Sequence, residues 1–274
     1  MNSPVTIIEA GRHGIAAQLR EFWRYRELLG FLAWRDLRVR YRQTVIGAAW
    51  ALIEPLVSVV VFTLLFHKVA GFDSGHIPYP LYCYAAVLLW NFFGRALRES
   101  TTSYVSNAAL VRKTFFPRLV LPCACVLAVL VDLLCAMVMY VVLMLYYGLA
   151  PGWSILTMPL WIVLAGMSAL GVGLVLSVIN ARLRDIGQAL PFLVQTWMLL
   201  TPVAYPLKDI PAYWQSFYQL NPLVGAVEGM RWALLPGQTL DPMLPLISLV
   251  GGMCLLVAGV VVCSRTTRGL ADVV

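Results

Sequence analysis

Four arginines and an aspartate stand within nine positions of WRDLRVRYR, residues 34–42, directly before a long and almost uncharged run. A guanidinium is a planar fork of donors that keeps its charge and can hold two oxygens of a phosphate at once. Read as a helix, the stretch puts Phe31, Trp34, Leu37 and Tyr41 on one side, with Arg35, Arg38 and Arg42 as a stripe beside them. Arg40 and Asp36 point away, which makes Arg40 the internal control for the stripe. The alternation from Arg38 to Arg42 also fits a short strand, but the longer periodic run favours an amphipathic helix at a membrane surface. Two uses of the stripe stand side by side. The cations fix topology and touch lipid headgroups, each contributing about 1 kcal/mol near an anionic surface, or they grip a phosphate.

Other reactive groups offer little catalytic chemistry. His13, His67 and His76 lie outside the apolar runs, so neither a metal site nor a histidine relay is placed inside a membrane. Cys83, Cys123, Cys125, Cys135, Cys254 and Cys263 show no C-x-x-C spacing and read as packing residues. The string GMSALG, residues 166–171, lacks the second glycine of a nucleophile turn. Ala165, Ala169 and Gly173 instead give a small-residue face for close helix contact. No G-x-x-x-x-G-K-[ST] phosphate loop exists, nor any Gly-Lys pair. Glu54, Arg95, Arg98, Glu99 and Asp132 are ionisable groups in or near apolar runs, where such side chains face the bundle or water.

These residues must be held by membrane helices. Of 274 residues, 61% are hydrophobic and 12% charged, against about 45–50% and about 25% in a soluble domain. The expectation is an all-α integral membrane protein with no room for a large soluble catalytic module. Apolar length marks six transmembrane helices, near 46–66, 81–107, 119–147, 156–179, 189–205 and 244–262. The domain reading is a cytoplasmic segment 1–43 carrying the interface helix, a transmembrane domain 44–263, and a cytoplasmic tail 264–274. Residues 1–43 lack the short apolar core and cleavage site of a signal peptide and are expected to stay on the mature protein. Between the fifth and sixth runs, 206–238 is too polar and proline-broken to span, yet rich in aromatics, and reads as re-entrant outer helices. Fifteen Lys and Arg fall on the side of both termini and three, Lys68, Lys208 and Arg231, on the other, which places both termini in the cytoplasm. The net charge of +7 is therefore one-sided and suits an anionic leaflet or an acidic partner better than nucleic acid.

Three strings, WRDLRVRYRQTVIGAAWALIEPL, LVRKTFFPRLVLP and LNPLVGAVEGMRWALL, stand in that order around the six runs. Together they resemble the ABC-2 permease family, specifically the Wzm-type subunits that export O-antigen and related polysaccharides, and the likeness extends from about Phe31 to the tail. The resemblance implies a permease of the bacterial inner membrane working as a homodimer, with a separate Wzt-like ATPase subunit that binds ATP and Mg; this chain would hold no cofactor, no metal and no catalytic residue. It implies a polyprenyl-diphosphate-linked polysaccharide as substrate, its diphosphate received by Arg35, Arg38 and Arg42. It implies a coupling helix in the second cytoplasmic loop, with Phe115 and Phe116 exposed against Pro117 and flanked by Arg112, Lys113 and Arg118. The bland reading of those phenylalanines is anchoring at the membrane interface. A smaller coupling element would include Arg184 and Asp185, although Arg182 and Arg184 equally read as ordinary positive-inside residues.

A sugar polymer presents apolar C–H faces that stack on aromatic rings. Trp90, Phe93, Trp197, Tyr205, Tyr213, Trp214 and Phe217 are the channel or gate candidates, with membrane-belt anchoring as the plain alternative. The competing functional class is an integral-membrane enzyme that modifies a lipid-linked glycan with Arg95, Glu99 and Asp132.

Overall fold

The computed structural model describes residues 15–42, 50–72, 74–114 and 116–266, with side chains from 20 and 53 onward in the first two segments. Residues 1–14, the start of the first apolar run at 46–49, Phe115 and the tail from 267 lie outside the described residues.

Two helices, α1 (Ile15–Arg24) and α2 (Arg26–Arg42), precede α3 (Trp50–Phe62), which continues as a π-helical turn over Thr63–Val69. Then follow α4 (Tyr79–Ser106), the short α5 (Ala108–Lys113), α6 (Val120–Tyr146), α7 (Met158–Arg182) and α8 (Asp185–Leu199). After a 3-10 turn at Leu207–Asp209 come α9 (Ala212–Gln219), α10 (Pro222–Leu234) and α11 (Met243–Thr266). No strand occurs among the described residues, so the arginine alternation of α2 is helical. The described parts of the apolar runs are helical over most of their length, but the fifth, 189–205, leaves the helix after Leu199 and continues as a turn. Among the described residues, three stretches are long and apolar enough to cross a membrane by themselves: Val120–Tyr146, Trp153–Arg182 and Met243–Thr266. Helix α4, of 28 residues, carries Arg95, Arg98 and Glu99.

Helix α4 is the axis of the bundle. Every residue from Leu81 to Trp90 is buried, because α6, α7, α10 and α3 pack around it. Small residues make this enclosure possible. A Cβ on Gly173 of α7 would sit 2.0 Å from Ser100 Oγ of α4, and one on Gly259 of α11 would sit 2.4 Å from the Gly171 carbonyl of α7. The helices approach to backbone contact, where dispersion replaces the hydrophobic driving force that lipid cannot supply. Around this core, Val138, Val141 and Leu145 of α6 and Leu246, Val250 and Val257 of α11 stay exposed, an apolar surface suited to hydrocarbon.

Helix α2 does not stand off at a surface touching membrane alone. It lies along the first half of α6, with Leu32 and Ala33 buried in a cluster with Phe116, Leu119 and Val120. With 28 residues, α4 separates two distinct ends of the molecule by about 40 Å.

Candidate functional site

At the arginine end, the side of α2 that turns inward carries Asp36 and Arg40, the residues that periodicity points away. Arg40 Nη1 donates to Asp132 of α6, and its Nη2 donates to Glu99 of α4 at 3.2 Å. Arg95 Nη1 donates to the same Asp132 oxygen at 3.0 Å, and its Nη2 to Glu54 of α3. Tyr41 gives its hydroxyl proton to the second Asp132 oxygen. Burial first, and then this hydrogen bond, push the Tyr41 phenol above its ordinary value, so it donates at neutral pH. The cause lies in Asp132, whose side chain is 7% exposed in the middle of an apolar helix. An unpaired carboxylate there is costly, and cations from α2 and α4 satisfy it.

The stripe itself divides. Arg35 donates to Asp36 at 2.7 Å and to the side-chain Oδ1 of Asn107 at 2.6 Å, tying α2 to the end of α4. Arg38 lies 5.7 Å over the Trp34 ring, and both are exposed, as are Phe31 and Arg42. The outward face of α2 is thus aromatic and cationic together, the composition that seats at a lipid headgroup layer. Beneath the network is a cavity of about 30 Å³ bordered by Glu54, Asn91, Phe92, Arg95 and Asp132, with the Asn91 amide nitrogen unpartnered. It has room for water but not for a glycan. Asp132 is fully committed to Arg40, Arg95 and Tyr41, which leaves it no free oxygen for acid–base work on a substrate.

At the other end, Arg231 of α10 is 0% exposed. Its guanidinium lies 3.9 Å over the Tyr82 ring, donates to the Val203 carbonyl at 2.6 Å, and pairs with Glu228 at 2.7 Å. Tyr79 donates to the neighbouring Ala204 carbonyl, and Asn221 Nδ2 to Thr201 Oγ1 at 3.0 Å. These bonds pin the turn after α8 onto α4 and α10. That turn carries Tyr205, one wall of an open cavity of about 570 Å³. Phe66 of the π-helical turn and Phe72 just after it form a second wall, and Trp214, Phe217 and Tyr218 of α9 a third. Asp209 lies at its edge. His67 fixes the Phe72 carbonyl at 2.9 Å. The rings are tilted or edge-on at centroid distances of 6.0 to 6.2 Å, as in Trp214–Phe217 and Phe72–Tyr205. A set of faces at several angles can hold a ring-bearing, partly apolar molecule.

Comparison with known proteins bears on what such a two-ended bundle is. The sequence pattern of the ABC-2 type transporter matches residues 27–235. The chain belongs to the ABC-2 type transporter family. It is 29% identical over 209 residues to the O-antigen export system permease protein RfbA of Myxococcus xanthus, covering 75% of this chain and 79% of that protein. A Klebsiella pneumoniae protein of the same name is 26% identical over 249 residues, 90% of this chain and 95% of that one. The polysialic acid transport protein KpsM of Escherichia coli is 26% identical over 208 residues, 74% and 79% of the two chains.

The ABC-2 match runs from α2 to α10 and so takes in both ends. Within this ABC-2 chain the sequence-derived candidates fall in different surroundings. Tyr205, Trp214 and Phe217 meet at the cavity, and Tyr213 is exposed beside Trp214 at 5.7 Å. Trp90 and Phe93 are 4% and 0% exposed, packed on each other, with Trp197 edge-on to Phe93 at 5.1 Å. They are core residues here because α4 is wrapped on every side.

In the α4–α6 connection, Arg112 and Lys113 are exposed, whereas Phe116 is 4% exposed under the Arg118 guanidinium at 5.5 Å. The expectation of two exposed phenylalanines therefore fails for Phe116, which the α2–α6 cluster absorbs. Pro117 is half-buried, and Arg118 donates to the Val111 carbonyl at 2.9 Å. Arg184 and Asp185 are exposed at the α7–α8 turn, which Asn180 holds by accepting from Gly187 N at 2.8 Å. Sequence reasoning passed over Phe66, Phe72 and Asp209 as cavity residues, and over Arg231 as the pin. The aromatic residues were visible as belt-type signals, but nothing local joins residue 66 to residue 214.

Proposed function

We propose that this chain is the permease subunit of an ABC exporter that moves a lipid-linked polysaccharide across the bacterial inner membrane, driven by a separate ATPase subunit that binds ATP and Mg. The observation that carries the reading is the aromatic cavity at one end of α4 with a cationic, aromatic-faced helix at the other. A polyprenyl-diphosphate-linked glycan needs both: cations for its diphosphate and ring faces for its sugars. Membership in the ABC-2 family and the names of its relatives support the same class.

In this reading α3, α4, α6, α7, α8 and α11 each cross the membrane, and α9 and α10 dip back at the outer face. The one-sided positive charge supports cytoplasmic termini. Arg38 and Arg42, with Arg35 held on Asn107, receive the diphosphate. Arg112, Lys113, Phe115, Pro117 and Arg118 form the main contact with the ATPase, and Arg184 and Asp185 the smaller one. Two copies of the chain enclose the glycan path, with the exposed faces of α3 and α8, including Val57, Val60, Phe192 and Leu193, supplying the apolar surface for that pairing.

Deleting the gene in its own host tests the reading. Long-chain polysaccharide is expected to vanish from the cell surface and accumulate, still lipid-linked, inside the cytoplasm, with restoration by the intact chain. Normal surface polymer in the deletion strain, or polymer that accumulates with altered sugar composition, would reject export in favour of another role.

A further inference from the structure

We infer that the outer aromatic cavity is a charge-selective sugar site in which Asp209 favours uncharged sugar residues over uronic or sialic acids. The inference rests on the polysaccharide reading above and adds the chemical class of the polymer.

Among the described residues bordering the cavity, Asp209 is the one carboxylate, and no lysine or arginine borders it. The nearby cations are otherwise placed. Arg231 is wholly buried on Glu228, Tyr82 and the Val203 carbonyl. Lys208, the preceding residue of the 3-10 turn, is exposed and not part of the wall. The phenol of Tyr205 is committed to the Leu199 carbonyl at 2.6 Å. Asp209 therefore remains as the strong acceptor that a sugar hydroxyl can reach while its ring lies on Trp214 or Phe217. A carboxylate is well matched to hydroxyl donors. Asp209 is solvent-exposed, so it repels an acidic sugar across water, where two like charges about 4 Å apart still cost about 1 kcal/mol. A volume of about 570 Å³ falls within the range of about 300–1,000 Å³ in which small-molecule sites hold their ligands. An acidic polymer would call instead for an arginine or lysine in the wall.

The test uses the full-length chain in phosphatidylcholine nanodiscs, titrated calorimetrically with digalactose and with the identically linked digalacturonate, which differ in the oxidation state of C6. Digalactose is expected to bind about fivefold or more tightly, the factor that one like-charge contact at about 4 Å imposes even in water. Asp209→Asn should close most of that gap by strengthening digalacturonate, and added salt should narrow it in the wild type alone. Trp214→Ala should weaken both sugars together. Equal binding of the two sugars by wild type, or a gap that Asp209→Asn leaves unchanged, overturns charge selection while the sugar site stands. Failure of both sugars to bind wild type removes the sugar site itself, and the surface-polymer assay above then judges the exporter reading separately.

Discussion

Arg40 and Asp132 stand 92 residues apart in sequence and share a direct ion pair that fastens α2 to the middle of α6. Because Arg95 and Tyr41 converge on the same carboxylate, the helix bearing the candidate diphosphate arginines is braced by the interior of the bundle. A movement of α6 therefore moves α2.

Removing one member of that pair should loosen the helix. Arg40→Ala is expected to destabilise the protein by about 3 kcal/mol, since it strips a cation from a buried carboxylate. Asp132→Asn in the same chain should return part of that loss, and thermal unfolding of the two single variants and the double variant measures it as a coupling. Strict additivity would mean that the pair contributes nothing of its own.

Arg38→Lys and Arg42→Lys keep charge and lose the fork. With their side chains exposed, both should fold normally, while affinity for a polyprenyl-diphosphate glycan falls roughly tenfold, about the loss of one charged hydrogen bond. Arg40 is unsuitable as the silent control because it is an ion-pair residue; Arg24, in the last turn of α1, replaces it. Unchanged binding in both lysine variants would reduce these arginines to membrane anchors.

Phe116→Ala is expected to cost about 3–5 kcal/mol as a core truncation. Its thermal midpoint should drop whether or not the ATPase is present. Charge reversal at the exposed Lys113 should leave the midpoint in place and weaken co-purification with the ATPase. If instead Phe116→Ala leaves stability intact and releases the ATPase, its burial is not the dominant role.

Arg231→Met should disconnect the turn at Val203 from α10 and leave Glu228 without its cation, at an expected cost of about 3–5 kcal/mol. Pairing it with Glu228→Gln should recover part of the loss. Surface polymer at the wild-type level in a stable Arg231→Met variant would show that the outer turn does not need this pin.

The sequence by itself determined that the chain is helical and membrane-embedded, because apolar run length is a local property that hydrocarbon reads directly. It also determined that aromatics crowd 206–238 and that arginines crowd 34–42. Only the tertiary structure decided which side of α2 faces inward. Periodicity put Phe31, Trp34, Leu37 and Tyr41 on one side and pointed Arg40 and Asp36 away, yet Arg40 turns inward, because Asp132 on another helix is a buried charge that had to be met. The same holds for Trp90, Phe93 and Phe116: an aromatic ring reads alike in a core, a belt or a channel until the helices around it are placed. The outer cavity is likewise a product of packing, since Arg231 and Tyr79 pin the turn that brings Tyr205 and α9 opposite Phe66 and Phe72.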